Sequence, residues 1–285
     1  MTKSQIITHR GLEPSNPDFY SESSFEAFKN HLNQGFGIEF DPNFTKDGII
    51  IVHDSNLARI TNNKDQRAIS DLTTEEALNV KLGNGKLCVL EELLELIKSS
   101  PSKINALHLK GKFQKPEYLD KLIDVLEEYP DLIDRIFIFD IKPDTAKYLK
   151  QKNPKLLLAP SVSHSFDIQR YNDAVLETLI TVEDAIKYRQ EGLFDWVWLD
   201  EWDRKDKDGK DKKLYTKEVF DKLRAVGYKI ALVTPELHTT SPGLLGGESH
   251  PDGKDKKTFH ARLKEIISLN PDAICTDHPE EAMLL

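Results

Sequence analysis

The chain has 285 residues, 39% hydrophobic and 31% charged, with a formal net charge of −9. Such a length can bury one large core, and a single α/β barrel of about 250 residues is as economical as two domains. The acidic balance excludes the basic electrostatic footprint of a nucleic-acid binder. Cys88 and Cys275 are too few for a disulfide framework and sit in apolar runs, as free buried thiols do. The N-terminus shows no apolar leader, and there is no run of about eighteen apolar residues. The expectation is a soluble, cytoplasmic protein with no integral membrane segment.

Gln5-Ile6-Ile7-Thr8 is a short β-branched run, read as a buried strand delivering His9 and Arg10 at its C-terminal end before Gly11 turns the chain. After a Pro, Asn and Ser loop over 12–22, Ser23 or Ser24 can cap a helix in which Phe25, Phe28 and Leu32 share a face. Gly35 and Gly37 end it and open a second strand read over 37–44. This βαβ unit predicts a parallel sheet. Side chains alternate along a strand, so Glu39 and Asp41 point the same way, roughly 6–7 Å apart. That spacing lets two carboxylates grip one divalent cation; a salt bridge to Arg10 or Lys110 is the structural alternative. Buried carboxylates cost several kcal/mol, on the order of what only pairing or a metal offsets. Lys46-Asp47-Gly48 signals a hairpin, and Ile49 to Val52 returns as a strand that carries His53 toward the two acids.

Residues 55–103 read as an excursion with helical patterns at 73–79 and 89–98, and Leu90, Leu93, Leu94 and Ile97 recur at core-face spacing. Further apolar runs predict strands at 105–110, 135–140, 156–163, 195–200, 229–234 and 272–276, with helical patterns at 116–129, 143–151, 181–191, 216–226 and 257–268. The alternation describes a (β/α)8 TIM barrel spanning 1–285 with an insertion after the second strand, in which chemistry gathers at the C-terminal strand ends. His9, Glu39, Asp41, His108, Lys110, Glu201 and Glu236 all fall at such ends.

His9-Arg10-Gly11, the helix after Ser21-Glu22-Ser23-Ser24, Glu39-Phe40-Asp41, Thr45-Lys46-Asp47-Gly48 and His53-Asp54 follow one another in an order that resembles the glycerophosphodiester phosphodiesterase family. Leu107-His108-Leu109-Lys110-Gly111 and Cys275-Thr276-Asp277-His278-Pro279 stand where that family has its third-strand Glu-x-Lys and last-strand Thr-Asp-x-Pro. The resemblance is dense over 6–59 and thin between 112 and 270. It implies a barrel with its insertion over the mouth, one divalent cation (Mg or Ca), and hydrolysis of a glycerophosphodiester to glycerol 3-phosphate and an alcohol. Attack by the neighbouring glycerol hydroxyl would give a cyclic phosphate that water then opens.

The expected roles are metal binding by Glu39, Asp41 and His108, phosphate binding by Arg10 and Lys110, and general acid and base catalysis by His9 and His53. The departure is at 108, where the family glutamate is a histidine. Imidazole suits Mn, Zn or Fe better than Ca or Mg. Either the metal is softer, or another acid such as Glu201 or Asp200 completes the site, or metal and activity are lost; the first two are preferred. Glu236 and His238 at the end of strand seven, and Trp202 after strand six, are candidate substrate contacts. The mixed-charge stretch 203–213 fails as a calcium loop, since aligning Gly209 with its turn glycine puts Arg204 at the first ligand and Tyr215 at the last. The glycines of 243–247 lack the Gly-Lys-Ser/Thr of a phosphate loop. Alternative expectations are a related lipid phosphodiesterase, of lysophospholipase D or sphingomyelinase D type, and a catalytically silent barrel that binds a phosphorylated ligand.

Overall fold

In the computed structural model, which describes residues 4–202, 205–235, 251–253 and 255–285, the apolar runs become strands of one parallel sheet. β1 (Gln5–His9) leads to α1 (Phe25–Asn33), where the Ser24 side chain caps the helix by accepting the Ala27 N–H at 3.2 Å. β2 (Gly37–Phe40) follows and then the chain leaves the sheet. Pro42 has no N–H for a ladder, so β3 (Pro42–Phe44) pairs instead antiparallel with β4 (Ile49–Ile51). The single strand expected over 37–44 is therefore two strands in two sheets, broken at Asp41.

After α2 (Thr74–Leu78) and α3 (Leu90–Ser99) come β5 (Asn105–His108), α4 (Pro116–Glu127), β6 (Ile136–Phe139), α5 (Pro143–Lys152), β7 (Leu157–Leu158) and β8 (Ser161–Val162). The chain continues through α6 (Ser165–Tyr171), β9 (Leu179–Ile180), α7 (Val182–Gln190), β10 (Trp196–Leu199), α8 (Lys217–Ala225) and β11 (Lys229–Val233). The last described elements are α9 (Lys256–Ser268), β12 (Ala273–Thr276) and α10 (Pro279–Leu284). The sheet order is β7-β6-β5-β2-β1-β12-β11-β10-β8-β9. β7 and β8 are halves of one segment: β7 pairs with β6 and β8 with β10, while Pro160, unable to donate, separates them. The Ala159 N–H reaches Ile138 O at 2.9 Å and the Trp198 N–H reaches Pro160 O at 3.0 Å, so the sheet closes through this segment. The result is a (β/α)8 barrel.

Alternation sorts side chains into two cores. One, between sheet and helices, holds Ile38, Leu107 and Ile138, together with the Leu90, Leu93, Leu94 and Ile97 face of α3. The other fills the barrel with Ile7, Ala106, Ala159, Ala231, Ala273 and four aromatic rings. Phe137 stacks on Trp196 with centroids 4.7 Å apart, and Phe139 stacks on Trp198 at 3.9 Å. The alanines make room for these rings. At Gly37 any larger residue would overlap the Ile104 carbonyl oxygen, which keeps β2 tight against β5 where the acids begin. A separate small core of Ile50, Val52, Leu57, Ile69, Leu72 and Leu87 lies under the β3–β4 hairpin and the turns that follow it.

His31 on α1 is 1% exposed, stacked on Phe19 at 5.1 Å, with Phe36 edge-on at 6.1 Å. Burial pushes its imidazole down from the ordinary 6.5 to about 4. The native state thus refuses a proton that the unfolded chain takes below about pH 6.5, and stability falls from there down to about pH 4. The loss amounts to at most about 3 kcal/mol. Urea unfolding of His31→Phe at pH 7.5 and pH 4.5 should show a smaller acid loss than the parent; an identical loss would mean that other groups set it.

Candidate active site

The C-terminal strand ends converge on a buried polar cluster. His9 closes β1, 7% exposed, and its Nδ1 lies 2.8 Å from Asp277 Oδ1, just beyond β12. Arg10 adopts a left-handed backbone (φ 53°), followed by Gly11 at 69°. Its N–H donates to Glu39 O at 3.2 Å and Oε2 at 3.3 Å. His9 is in register with Glu39, and Glu39 with Ala106, so β1, β2 and β5 bring their ends to one level. His108 closes β5. Its ring stacks on Phe139 (4.6 Å, 13°), with Nδ1 3.0 Å from Asp41 Oδ1 and 3.7 Å from Glu39 Oε1. Lys110 Nζ stands 3.2 Å from Asp41 Oδ1 and donates to the His53 carbonyl. His53, just after β4, holds Asp54 Oδ1 at 2.6 Å through Nδ1. Arg59 joins Asp54 to Glu22 with contacts of 2.6 and 2.7 Å, tying the hairpin region to the loop after β1.

The two acids differ in electrostatics although they share a face. Burial, then the neighbouring charge of Asp41, pushes Glu39 up. Asp41 is equally buried, but Lys110, His53 and His108 more than offset burial and hold it well below the carboxylate range. His53 is pushed down to about 4, first by burial and also by Arg10 and Lys110, so its imidazole is neutral near pH 7. His108 is pushed the other way: burial alone would lower it, but Asp140 and Asp41 raise it to about 9.

The residues present fit a divalent cation. Glu39, Asp41 and His108 each offer one ligand atom, all within 4.8 Å of one another. Asp41 Oδ2 is buried and accepts no hydrogen bond among the described residues, with Arg10 Nε 3.8 Å away. Two carboxylates and an imidazole form a donor set that favours Mn, Zn or Fe over Ca. Glu201, one of the two acids that could complete the set, is already engaged: it accepts from Leu214 N at 2.7 Å and Tyr215 N at 3.1 Å, and binds Arg262 NH2 at 2.5 Å.

Beside the cluster opens a cavity of about 420 Å³, lined by His53, Asp54, His108, Lys110, Lys112 and Asp140, with Val175 and Leu176 as an apolar wall. Trp202 is not among its lining residues; its indole packs on Tyr171 at 4.9 Å and its N–H donates to Ser163 Oγ at 3.3 Å. Glu236 and His238 lie outside the described residues. Asp54, Lys112, Asp140 and Asp277 went unselected from sequence. Each had a signal: Asp54 follows His53, Asp140 and Asp277 end apolar strand runs, and Lys112 extends the Lys110 face.

The model of the glycerophosphoryl diester phosphodiesterase family matches residues 9–175. The chain is thus an enzyme of the phosphoric diester hydrolase class. It belongs to the glycerophosphoryl diester phosphodiesterase family, whose members generally depend on a divalent metal. Its fold is similar to that of a proposed glycerophosphodiester phosphodiesterase of Galdieria sulphuraria, with a TM-score of 0.70 and 19% identity over 99% of this chain and 96% of that one. A glycerophosphoryl diester phosphodiesterase of Parabacteroides distasonis gives 0.66 and 20% over 99% and 85%. A phosphodiesterase of Oleispira antarctica, solved with its product sn-glycerol-3-phosphate, gives 0.63 and 18% over 99% and 96%. No curated protein sequence matches significantly. Among the described residues no helix is long and apolar enough to cross a membrane.

Because burial and Asp41 raise Glu39, the native state bears a charge penalty at neutral pH that the unfolded chain escapes. That penalty is fully present above the native value and gone below the unfolded value of 4.5. In metal-stripped protein Glu39→Gln should therefore stabilise by roughly 1 kcal/mol at pH 7.5, read by urea denaturation. A gain that persists undiminished at pH 3.5 would contradict the electrostatic cause.

Proposed function

We propose that this enzyme hydrolyses a small glycerophosphodiester to glycerol 3-phosphate and an alcohol, with a softer cation than Mg or Ca at its centre. The observation that carries this reading is the convergence of Glu39, Asp41 and His108 within 4.8 Å, beside Lys110 and between two histidines each backed by an aspartate. Glu39, Asp41 and His108 would hold one divalent cation, Mn or Zn by their chemistry, which when bound neutralises charge developing on the phosphoryl group.

Arg10 and Lys110 supply fixed positive charge where phosphate oxygens would lie. His53 begins neutral. With its Nδ1–H given to Asp54, its Nε2 carries the lone pair that takes a proton from the attacking glycerol hydroxyl. The negative charge of a bound phosphodiester offsets the two cations that depress His53 and so strengthens it as a base when substrate is present. His9, held through Nδ1 by Asp277, presents its other nitrogen to protonate the departing alkoxide. The oxygen–phosphorus bond to the alcohol breaks as that proton arrives; in the second step the roles reverse, His9 taking a proton from water and His53 returning its proton to the ring oxygen as the cyclic phosphate opens. The apolar wall of Val175 and Leu176 favours one second reading, a diester whose glycerol carries a lipid chain.

Metal-stripped protein should release glycerol 3-phosphate from glycerophosphocholine once Mn or Zn is restored and much less with Ca. His9→Ala and His53→Ala should each lower kcat by about 10²–10⁴, and full turnover in the double variant would overturn their roles. Choline release from lysophosphatidylcholine at a higher kcat/KM than from glycerophosphocholine would favour the lipid reading.

A further inference from the structure

We infer that Asp140 is a positioning residue for the metal centre, holding the His108 ring so that Nδ1, and not Nε2, is presented to Glu39, Asp41 and their cation. The inference rests on the reading of His108 as a ligand and assigns a role to a residue outside that ligand set. A histidine binds a metal through one nitrogen, and the partner of the other nitrogen fixes which one carries the proton. Here the two edges of the ring face different acids. Nδ1 lies 3.0 Å from Asp41 Oδ1, and Nε2 lies 3.5 Å from Asp140 Oδ2.

The surroundings of Asp140 are built for that orientation. It stands directly after β6, in register beside the end of β5, where His108 pairs with Phe139. Its backbone is left-handed, with φ 66°, a conformation that non-glycine residues adopt at a cost and that clusters at functional positions. Gln114 pins it there: the side-chain amide donates to Leu109 O at 2.9 Å and Asp140 O at 2.6 Å, and its oxygen accepts the Lys142 N–H at 2.9 Å. The gap between His108 and Asp140 is thus set by a clamp across the two strand ends. Phe139, itself stacked on Trp198, fixes the plane of the ring. What remains is which way round the ring stands about its Cβ–Cγ bond, and Asp140 decides it. A glutamate at 108 would have no N–H to offer, so this acid has a use only with the histidine.

The test is calorimetric titration of metal-stripped full-length protein with MnCl2 and with ZnCl2, independent of turnover, with circular dichroism to verify folding. Asp140→Asn should weaken Mn binding by about 10–100-fold. In a His108→Glu background the same change should cause no loss, because the carboxylate it would have repelled is gone. An equal loss in both backgrounds would reduce Asp140 to a distant charge and overturn the inference, as would no loss in the parent. His108→Gln separates the two readings. If it leaves affinity intact, His108 is no ligand and the underlying reading fails; if it weakens binding while Asp140→Asn does not, only the positioning role fails.

Discussion

Two carboxylates buried side by side at the end of one strand are the constraint on which the rest of the site depends. Like charges in a low-dielectric interior repel and lose their water, so something cationic must stand against them. This chain surrounds Glu39 and Asp41 with Arg10, Lys110 and His108. The answer is asymmetric: Asp41 gathers the close cations and stays ionised, while Glu39 is left short of them and drifts upward. An added cation relieves both at once, which is why a charge arrangement that weakens the folded protein is suited to binding a metal.

The barrel interior serves the same end. Phe137 on Trp196 and Phe139 on Trp198 make a column of flat rings up the axis, and His108 is its uppermost ring. Small residues on neighbouring strands, Ala106, Ala159, Ala231 and Ala273, leave room for that column. A side chain whose plane is set by packing needs few hydrogen bonds to be oriented, and those it has can be spent on selecting a nitrogen.

The β/α alternation was legible because each barrel strand is buried on both faces and reads as an uninterrupted apolar run. The site was legible where chemistry sits in short local motifs, as in His9-Arg10 or Glu39-Phe40-Asp41. Two kinds of feature were hidden. Pro160 divides one strand and Pro42 turns another out of the sheet, and both depend on which neighbour each strand finds. The partners of the histidines were hidden for the opposite reason. Asp277 is 268 positions from His9 along the chain, so only ring closure reveals the pair, and Asp140 meets His108 only because adjacent strands end level. Short segments such as α6 and β9 carry too few residues for any period to show.

The core beneath the β3–β4 hairpin is separate from the core inside the barrel; His53 directly follows Val52 of the first, while His9 ends the strand that gives Ile7 to the second. His9 and His53 therefore stand on two units with their own free energies of opening. Opening of the smaller one would carry His53, Asp54 and the Arg59 tether with it, and would take from Lys110 the His53 carbonyl and from Asp41 the Val52 N–H. Opening of the hairpin unit and opening of the barrel are thereby separate events in this fold.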